Sequence, residues 1–156
     1  MKNVKQSAGI LVYRFIEKDI EVFLVHPGGP FWKNKDEGAW SIPKGEFTNE
    51  ENPLNAALRE FKEETGIDLS GEFIELTPVK LKSGKMVYAW ALQSDIEIAG
   101  VSCGSFINIE WPPRSGKSIS IPEIDKAEWF ESGVAKQKIN SSQAALVDEL
   151  IKKVKG

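Results

Sequence analysis

The sequence predicts an α/β/α sandwich built around a mixed β-sheet. Short apolar segments alternate with turn signals. A helix with an apolar stripe is predicted near the middle of the chain, and an amphipathic helix is predicted at its end. The 156 residues are 41% hydrophobic and 28% charged, which is enough for one sizeable core. We therefore expect a single domain over residues 1–156, without repeats or linkers.

Strands are predicted where apolar runs are bounded by polar turns. Residues 7–15 and 20–25 form a first pair around Glu17-Lys18-Asp19, and residues 40–42 form a short strand before Pro43-Lys44-Gly45. Later strands are predicted at residues 73–80, 85–94, 106–111 and 127–130. These segments supply the sheet that the helices cover.

The central helix has clear start and end signals. Asn52 can accept free backbone N–H groups, Pro53 loses no hydrogen bond at the first helical position, and Thr65-Gly66 ends the helix. A final helix is predicted to begin near Asn140-Ser141 and to carry an apolar stripe. That stripe is ordinary core packing, so it does not indicate a membrane or a partner helix.

Three carboxylates follow one flank of the central helix. Glu60, Glu63 and Glu64 are spaced i, i+3 and i+4, so they repel one another by about a few tenths of a kcal/mol per pair on a bare helix. A solvated acidic face is the simplest interpretation of an arbitrary Glu-rich helix. Here the neighbouring Arg59 and a glycine-bounded loop favour a hard divalent cation, which takes oxygen ligands.

The same segment contains a long residue pattern. It runs Gly-x5-Glu-x7-Arg-Glu-Phe-x-Glu-Glu-x-Gly-Ile from Gly45 to Ile67. This pattern resembles the complete Nudix box, the signature of Mg²⁺-dependent pyrophosphohydrolases. Phe61 is the only mild departure, because the family usually has an aliphatic residue there. The resemblance implies the same sandwich fold.

The resemblance also implies roles for individual residues. Glu60, Glu63 and Glu64 match the carboxylates that hold Mg²⁺, for which Mn²⁺ can substitute, and Lys44-Gly45 matches the turn whose backbone carbonyl often joins them. Arg59 and Glu51 match a salt-bridged pair that orients the helix against its loop. Arg59, Glu63 and Glu64 are thus expected in the catalytic site.

One more glutamate is expected outside the box. Many Nudix enzymes place it in a loop shortly before a strand that contains a Glu-Trp pair, where it binds metal or activates water. Glu123 fits this position ahead of Glu128-Trp129. Glu128 on the strand and Glu110 further upstream remain alternatives.

Two loops are candidates for binding the substrate. The first runs from His26 to Trp32, and the rings of Phe31 and Trp32 can stack on a base or fold back on the core. His26 itself is more often a polar residue at a strand end than a catalyst. In the second loop, Arg114 and Lys117 can grip a polyphosphate or remain solvated.

Two aromatic residues on one strand are further candidates. Tyr88 and Trp90 are spaced i, i+2 and therefore share a sheet face, which is either core or nucleotide pocket. The segments 40–45 and 85–91 look similar to the diadenosine tetraphosphate hydrolase branch of the Nudix family. Dinucleoside polyphosphates are therefore the first expected substrates, with nucleoside triphosphates, sugar nucleotides and capped RNA ends as alternatives.

The chemistry that the resemblance implies is attack by a metal-activated water on a phosphorus of an X-linked nucleoside diphosphate. A domain that only senses nucleotides is the minority alternative, because such a domain would be expected to lose box carboxylates.

Charge and composition limit the partners. A formal net charge of -3 and a pI near 5.3 argue against broad binding to nucleic acid, so the expected partner is a small nucleotide. Cys103 is the one cysteine and cannot form an internal disulfide. No secretory cleavage pattern or run of membrane-spanning length is present, so the expected location is the cytoplasm. The sequence indicates no oligomeric state.

Overall fold

The computed structural model describes residues 6–155, which form a mixed sheet, a separate two-stranded ribbon and helices on both faces of the sheet. The strands are β1 (Gln6–Ile16), β2 (Asp19–Pro27), β3 (Lys44–Glu46), β4 (Ile74–Glu75), β5 (Val79–Lys80), β6 (Met86–Gln93), β7 (Phe106–Glu110), β8 (Ser118–Pro122) and β9 (Ile124–Glu131). The helices are α1 (Pro53–Thr65), α2 (Ser132–Lys138) and α3 (Ala144–Lys155), with short 3-10 turns at Ile98–Gly100 and Ser141–Gln143.

The sheet is organised around β1. This strand pairs in parallel with β6 and antiparallel with β2 and β3. β9 extends the sheet beyond β2, and β4 and β5 pair with β6. Strands β7 and β8 pair only with each other in the ribbon. The predicted mixed sheet is confirmed.

Two cores lie on opposite faces of the sheet, because successive strand side chains point to opposite sides. Ile10, Val12 and Phe23 pack with Phe61 of α1 in one core. The other core joins sheet residues such as Leu11 and Leu24 to α2 and α3 through Ala135, Leu146, Val147 and Leu150. Helices thus cover both faces, which confirms the α/β/α sandwich.

Helix α1 begins and ends as its sequence predicts. The Asn52 side chain accepts a hydrogen bond from the Asn55 N–H at 3.1 Å, and Pro53 follows it. Gly66 ends the helix with φ 78°, a left-handed conformation that glycine adopts without steric cost, and its N–H donates to the Lys62 carbonyl. The box carboxylates therefore sit on a helix with fixed ends.

Two predicted strands are wrong in detail. Residues 73–80 form β4 and β5 rather than one strand, because Pro78 has no N–H for the ladder and the Thr77 N–H donates to Glu149 at 2.7 Å. Residues 40–42 make only isolated bridges, through Trp40 and Ser41. The strand in this region is β3, which begins two residues later.

Two elements were not predicted from the sequence. β8 pairs with β7 outside the main sheet, and the short α2 contains Gly133, a poor helix former. The final helix also starts later than predicted, since Asn140 caps a 3-10 turn and α3 begins at Ala144. No helix within residues 6–155 is long and apolar enough to cross a membrane.

Candidate active site

The box carboxylates of α1 face the loop that contains β3. Glu60 and Glu64 are only 8% and 6% exposed, whereas Glu63 is exposed at the edge of the helix. Positions i and i+4 lie one above the other on a helix, which places the two buried carboxylates on the same face. The structure therefore brings all three carboxylates to one side of α1.

Arg59 connects this cluster to the preceding loop. Its Nε and Nη2 donate to the two carboxylate oxygens of Glu51 at 2.9 and 2.8 Å. Its Nη1 donates to Glu60 at 2.8 Å and to Glu63 at 3.3 Å. The bidentate bond lowers the pKa of Glu51 and raises that of Arg59. The ion pair expected between Glu51 and Arg59 is present.

Glu64 is the least satisfied carboxylate of the site. Its Oε2 is buried and has no hydrogen-bond partner within residues 6–155. Burial, followed by the charges of Glu123 and Glu60, raises the pKa of Glu64 to about 8. Burial also raises the pKa of Glu60, with a smaller contribution from Glu63. A cation at these oxygens would compensate this desolvation.

Gly45 allows the loop to pass close to the helix. A Cβ atom at this position would lie 2.0 Å from the Glu60 carboxyl carbon. Any other residue would displace the Glu60 carboxylate or the loop. The glycine of the box pattern is therefore explained by close approach.

Lysines border the same space. The half-buried Lys44 has a lowered pKa, first because of burial and second because of the nearby Lys85 charge, while Glu64, Glu46 and Glu60 oppose this shift. Lys85 pairs with Glu46 at 2.7 Å. Sequence reasoning assigned Lys44 only a backbone role and did not single out Lys85, because Lys85 comes from a distant strand end.

Glu123 joins the carboxylate cluster from the junction of β8 and β9. The Ser105 hydroxyl donates to its Oε1 at 2.8 Å, and the backbone N–H of Glu123 donates to the Ser105 carbonyl at 2.9 Å. The charge of Glu123 raises the pKa of both Glu64 and Glu60, which places it beside them.

The two alternatives to Glu123 lie elsewhere. Glu110 accepts hydrogen bonds from the backbone N–H groups of Arg114 and Gly116 at 3.0 and 3.1 Å, so it closes the turn of the ribbon. Glu128 is in register with Leu24, whose side chain belongs to the core under α3. Glu128 therefore faces away from α1.

Two adjoining cavities define the site. The acidic cavity, about 430 Å³, is lined by Gly45, Glu60, Glu63, Lys85 and the buried Ser7, whose hydroxyl has no partner within the described residues. The apolar cavity, about 240 Å³, is lined by Glu64, Trp32, Val25, Ile42 and Leu81. Lys44 and Glu123 line both cavities. A bound molecule can therefore extend from one cavity into the other.

The apolar cavity has a polar floor of Ser41, Asn140 and Gln143. Gln143 is 2% exposed; its Oε1 accepts from the Ile42 N–H at 3.1 Å and its Nε2 donates to the Ser41 hydroxyl at 3.0 Å. Sequence reasoning noted Asn140 only as a helix start and missed the other two. A glutamine directly before an apolar helical stripe was the available signal.

Trp32 is the candidate substrate residue that the structure places in the apolar cavity. Phe31 is 52% exposed beside it, with ring centroids 5.0 Å apart, and Lys35 Nζ lies 3.4 Å from the Phe31 ring centroid. The two rings therefore stand at the rim of the cavity rather than folding into a core.

Five other candidates for substrate contact lie outside the residues that line these two cavities. Tyr88 and Trp90 are partly buried and pack against the core under α1, and His26 is completely buried. Arg114 and Lys117 lie in the exposed turn of the ribbon, beyond Glu110. The ribbon extends about 10 Å from Ile107, which lines the acidic cavity, to Glu110. Packing explains the positions of the first three residues, and distance along the ribbon explains those of the last two.

The oxygen donors fit a hard cation that retains water. Within residues 6–155, no three Asp, Glu, His or Cys side chains already form a metal cage. Arg59 holds Glu60 and Glu63, and Ser105 holds Glu123, so these carboxylates surround the space without closing on it. The unpartnered oxygen of Glu64 matches a cation that uses few carboxylates and several waters, as Mg²⁺ does.

Comparison with known proteins identifies the family of the chain. The model of the NUDIX domain family matches residues 5–150. The chain therefore belongs to the Nudix family, and it is a Nudix hydrolase. Nudix hydrolases generally use divalent metal ions, which fits the oxygen donors around Glu64.

Among curated proteins, the chain is 32% identical over 101 residues to the m7GpppN-mRNA hydrolase of Saccharomyces cerevisiae. The match covers 62% of this chain but only 8% of the length of that relative.

Among solved structures, the Caenorhabditis elegans Ap4A hydrolase has a TM-score of 0.66 and 20% identity, covering 96% of this chain and 98% of the other. The NUDIX domain of Shewanella oneidensis NrtR, complexed with ADP ribose, also has a TM-score of 0.66, at 14% identity, covering 99% of this chain and 90% of the other. At these identities the likeness supports the fold alone.

Proposed function

We propose that this chain is a Mg²⁺-dependent pyrophosphohydrolase that cleaves a phosphoanhydride of a nucleoside diphosphate linked to another moiety. Dinucleoside polyphosphates such as diadenosine tetraphosphate are the first substrate class. The observation that carries the proposal is the buried, unpartnered oxygen of Glu64, which lies beside Glu123 where two cavities meet. The proposal includes the cytoplasmic location expected from the sequence.

The metal would be held by oxygen ligands from both sides of the acidic cavity. Glu60, Glu63, Glu64 and Glu123 supply carboxylates, and the turn at Lys44-Gly45 supplies a backbone carbonyl. Bound Mg²⁺, or Mn²⁺ in its place, would neutralise phosphate charge and lower the pKa of a bound water.

Residues of the chain contribute orientation and charge. Arg59 holds Glu51, Glu60 and Glu63 in fixed positions. Lys44 and Lys85 border the acidic cavity and can attract the phosphates of a substrate. Ser105 holds Oε1 of Glu123, so the other oxygen can accept a proton from the attacking water.

The apolar cavity would hold one nucleoside of the substrate. The indole of Trp32 can stack on a base, which contributes about 1 to 3 kcal/mol in comparable sites. The polar floor of Ser41, Asn140 and Gln143 can hydrogen-bond to base or ribose. A nucleoside here and its phosphates in the acidic cavity would place the phosphoanhydride near Glu64 and Glu123.

Two of the similar proteins are named for substrates that share one chemistry. Diadenosine tetraphosphate and a capped RNA end both consist of two nucleosides joined by phosphates. The 32% identity with the yeast m7GpppN-mRNA hydrolase makes hydrolysis at RNA 5' ends the second candidate. Nucleoside triphosphates and sugar nucleotides remain further alternatives.

A product assay tests the proposal. The purified chain is incubated with Mg²⁺ and, separately, diadenosine tetraphosphate, a capped dinucleotide, a capped RNA, ATP and ADP-ribose, and the products are separated by chromatography. We expect AMP and ATP from diadenosine tetraphosphate, because water attacks near the single nucleoside held by the apolar cavity. The Glu64→Gln variant controls for contaminating hydrolases.

Other outcomes discriminate the alternatives. Much faster cleavage of ATP or ADP-ribose would contradict the substrate class. Faster cleavage of capped RNA would favour the second candidate. Tight nucleotide binding by calorimetry without any hydrolysis would indicate a sensor domain instead of an enzyme.

A further inference from the structure

A completely buried histidine lies directly behind the site. His26, near the end of β2, has no exposed surface. Its Nδ1 is 2.8 Å from Oδ1 of Asp125, and its Nε2 is 2.6 Å from the carbonyl oxygen of Lys35. Each ring nitrogen therefore has an oxygen partner within hydrogen-bonding distance. One side chain thus joins the loop at Lys35 to the beginning of β9, two segments that are far apart in sequence.

An irregularity in the sheet brings Asp125 to this histidine. His26 pairs with Lys126, whereas Pro27 pairs with Ile124, so Asp125 is an extra residue in the β2–β9 ladder. Such bulges often re-aim side chains next to active sites. Asp125 follows Glu123 by two residues, so the bulge fixes the turn that presents the proposed catalytic carboxylate.

The other partner of His26 belongs to the loop that carries Trp32. This loop also lies directly on the Glu123 turn, because the Gly28 N–H donates to the Glu123 carbonyl at 3.1 Å. A Cβ at Gly28 would lie 2.2 Å from the Pro122 carbonyl oxygen, so the two backbones are in close contact. The substrate loop and the Glu123 turn therefore form one packed unit.

We propose that His26 is a positioning residue that holds the Glu123 turn through Asp125 and the Trp32 loop through the Lys35 carbonyl. The proposal rests on the roles proposed above for Glu123 and Trp32. The His26 ring is completely buried while the Asp125 side chain is 34% exposed, and a buried polar group with a partner at each end is held in a single geometry. Here that geometry sets the distance between the proton-accepting carboxylate and the ring that stacks on the base.

The two halves of the network predict different kinetic effects. Asp125→Ala releases the Glu123 turn, so kcat should fall about 10- to 100-fold, as for other residues that orient ligands, with little change in KM. His26→Gln loses both geometries, because glutamine cannot place hydrogen-bonding groups where the two nitrogens at opposite ends of the imidazole ring lie. It should lower kcat and also raise KM.

A double-mutant cycle between Asp125 and Glu123 tests the proposal. Single-turnover rates are measured with Mg²⁺ and diadenosine tetraphosphate, or the nucleotide that the product assay identifies. Asp125→Ala should lower the rate strongly in the native background and hardly at all in the Glu123→Gln background. Asp125→Asn keeps an acceptor for the His26 Nδ1–H and should restore most of the rate. Glu128→Ala, on the same strand, is the matched control for loss of a carboxylate.

Each outcome bears on one claim. Equal losses from Asp125→Ala in both backgrounds would overturn the inference, because a general loss of structure adds to any other defect. A normal rate for Glu123→Gln alone would contradict the proposed role of Glu123 as well. A slow Glu123→Gln variant with additive loss from Asp125→Ala would remove the inference and leave that role intact.

A second cycle covers the case in which Asp125→Ala does not fold. His26→Gln should raise KM in the native background but not in the Trp32→Ala background, since the effect acts through the Trp32 loop. An equal rise in both backgrounds would overturn the link between His26 and Trp32. Thermal melts by circular dichroism establish that each variant is folded at the assay temperature.

Discussion

The box segment, residues 44–66, and the wall that faces it, residues 26–41, 105–125 and 140–143, line the same cavities in different ways. Within the box, contacting residues are close in sequence: Arg59 bonds to Glu51, Glu60 and Glu63. Across the facing wall, partners are distant, as in His26 with Asp125 and Ser41 with Gln143. One helix and its loop are enough to orient the box carboxylates. The contacts of the facing wall, in contrast, form only when the sheet has assembled.

This difference separates two kinds of function. The box segment contains most of the carboxylate oxygens of the site, together with the Arg59 guanidinium that balances their negative charge. The facing wall contains the stacking ring, the polar floor and Glu123. We therefore expect changes in the box to remove the chemistry, and changes in the facing wall to divide between rate and substrate affinity.

The largest effect is expected in the box. Glu63→Gln or Glu64→Gln should lower turnover by at least about a thousandfold, equivalent to ~4 kcal/mol of transition-state stabilisation, because each removes a proposed metal ligand. The fold should persist, since glutamine preserves shape. Steady-state rates at saturating Mg²⁺ measure the loss, and near-native turnover of both variants would contradict the site.

The next largest effect is expected in the facing wall, at Glu123. Glu123→Gln should lower kcat by about 100-fold or more, the size expected for loss of a proton acceptor. Glu110→Gln and Glu128→Gln should be mild, because one closes the ribbon turn and the other faces away from α1. Single-turnover kinetics compare the three variants. A slow Glu110 variant beside a normal Glu123 variant would move the role to Glu110.

A smaller effect should fall on affinity. Trp32→Ala removes the stacking ring from the apolar cavity, so KM should rise about 10-fold, within the ~1 to 3 kcal/mol typical of base stacking. The rate at saturating substrate should change little. Phe31→Ala, at the exposed rim, is the matched control and should be nearly native. Equal effects of the two changes would argue against a base beside Trp32.

The smallest effect concerns stability in the absence of metal. Burial raises the pKa of Glu64 from 4.5 to about 8, so between these values the folded state binds more protons than the unfolded state. The free energy of unfolding should therefore fall as pH rises through this range. Glu64→Gln should reduce this fall by on the order of 1 to 3 kcal/mol.

Urea unfolding in EDTA at about pH 5 and about pH 9 measures the difference. Glu128→Gln, which removes an exposed carboxylate, should leave the pH dependence unchanged. An identical pH dependence in the native chain and the Glu64 variant would show that Glu64 is not strained by burial.

The same contrast explains how much the sequence could predict. The ends of α1 depend on Asn52, Pro53 and Gly66, whose preferences are local, so they were predicted correctly. The mixed sheet and the helices on both faces followed from the order of apolar segments. The Glu51–Arg59 pair followed from the box pattern, because a helix and one loop fix its geometry.

Long-range packing explains what could not be predicted. Nothing near His26 in sequence indicates Asp125, which reaches it only through a bulge between β2 and β9. The ring of Tyr88 meets Phe47 at 6.0 Å between centroids, a contact that turns a candidate pocket residue into core. Pro78 interrupted a strand whose apolar pattern appeared continuous. These features depend on segments that meet only in the folded chain.

The parallel pairing of β1 with β6 has a consequence for how the chain folds. Ser7 pairs with Val87, a partner that is synthesised roughly 80 residues later. Pairings across such separations are slow to form, whereas α1 and its loop need only local contacts. The backbone N–H and C=O groups along this edge of the apolar strand β1 are therefore unpaired until β6 arrives, which leaves the edge open to pairing with another chain during synthesis.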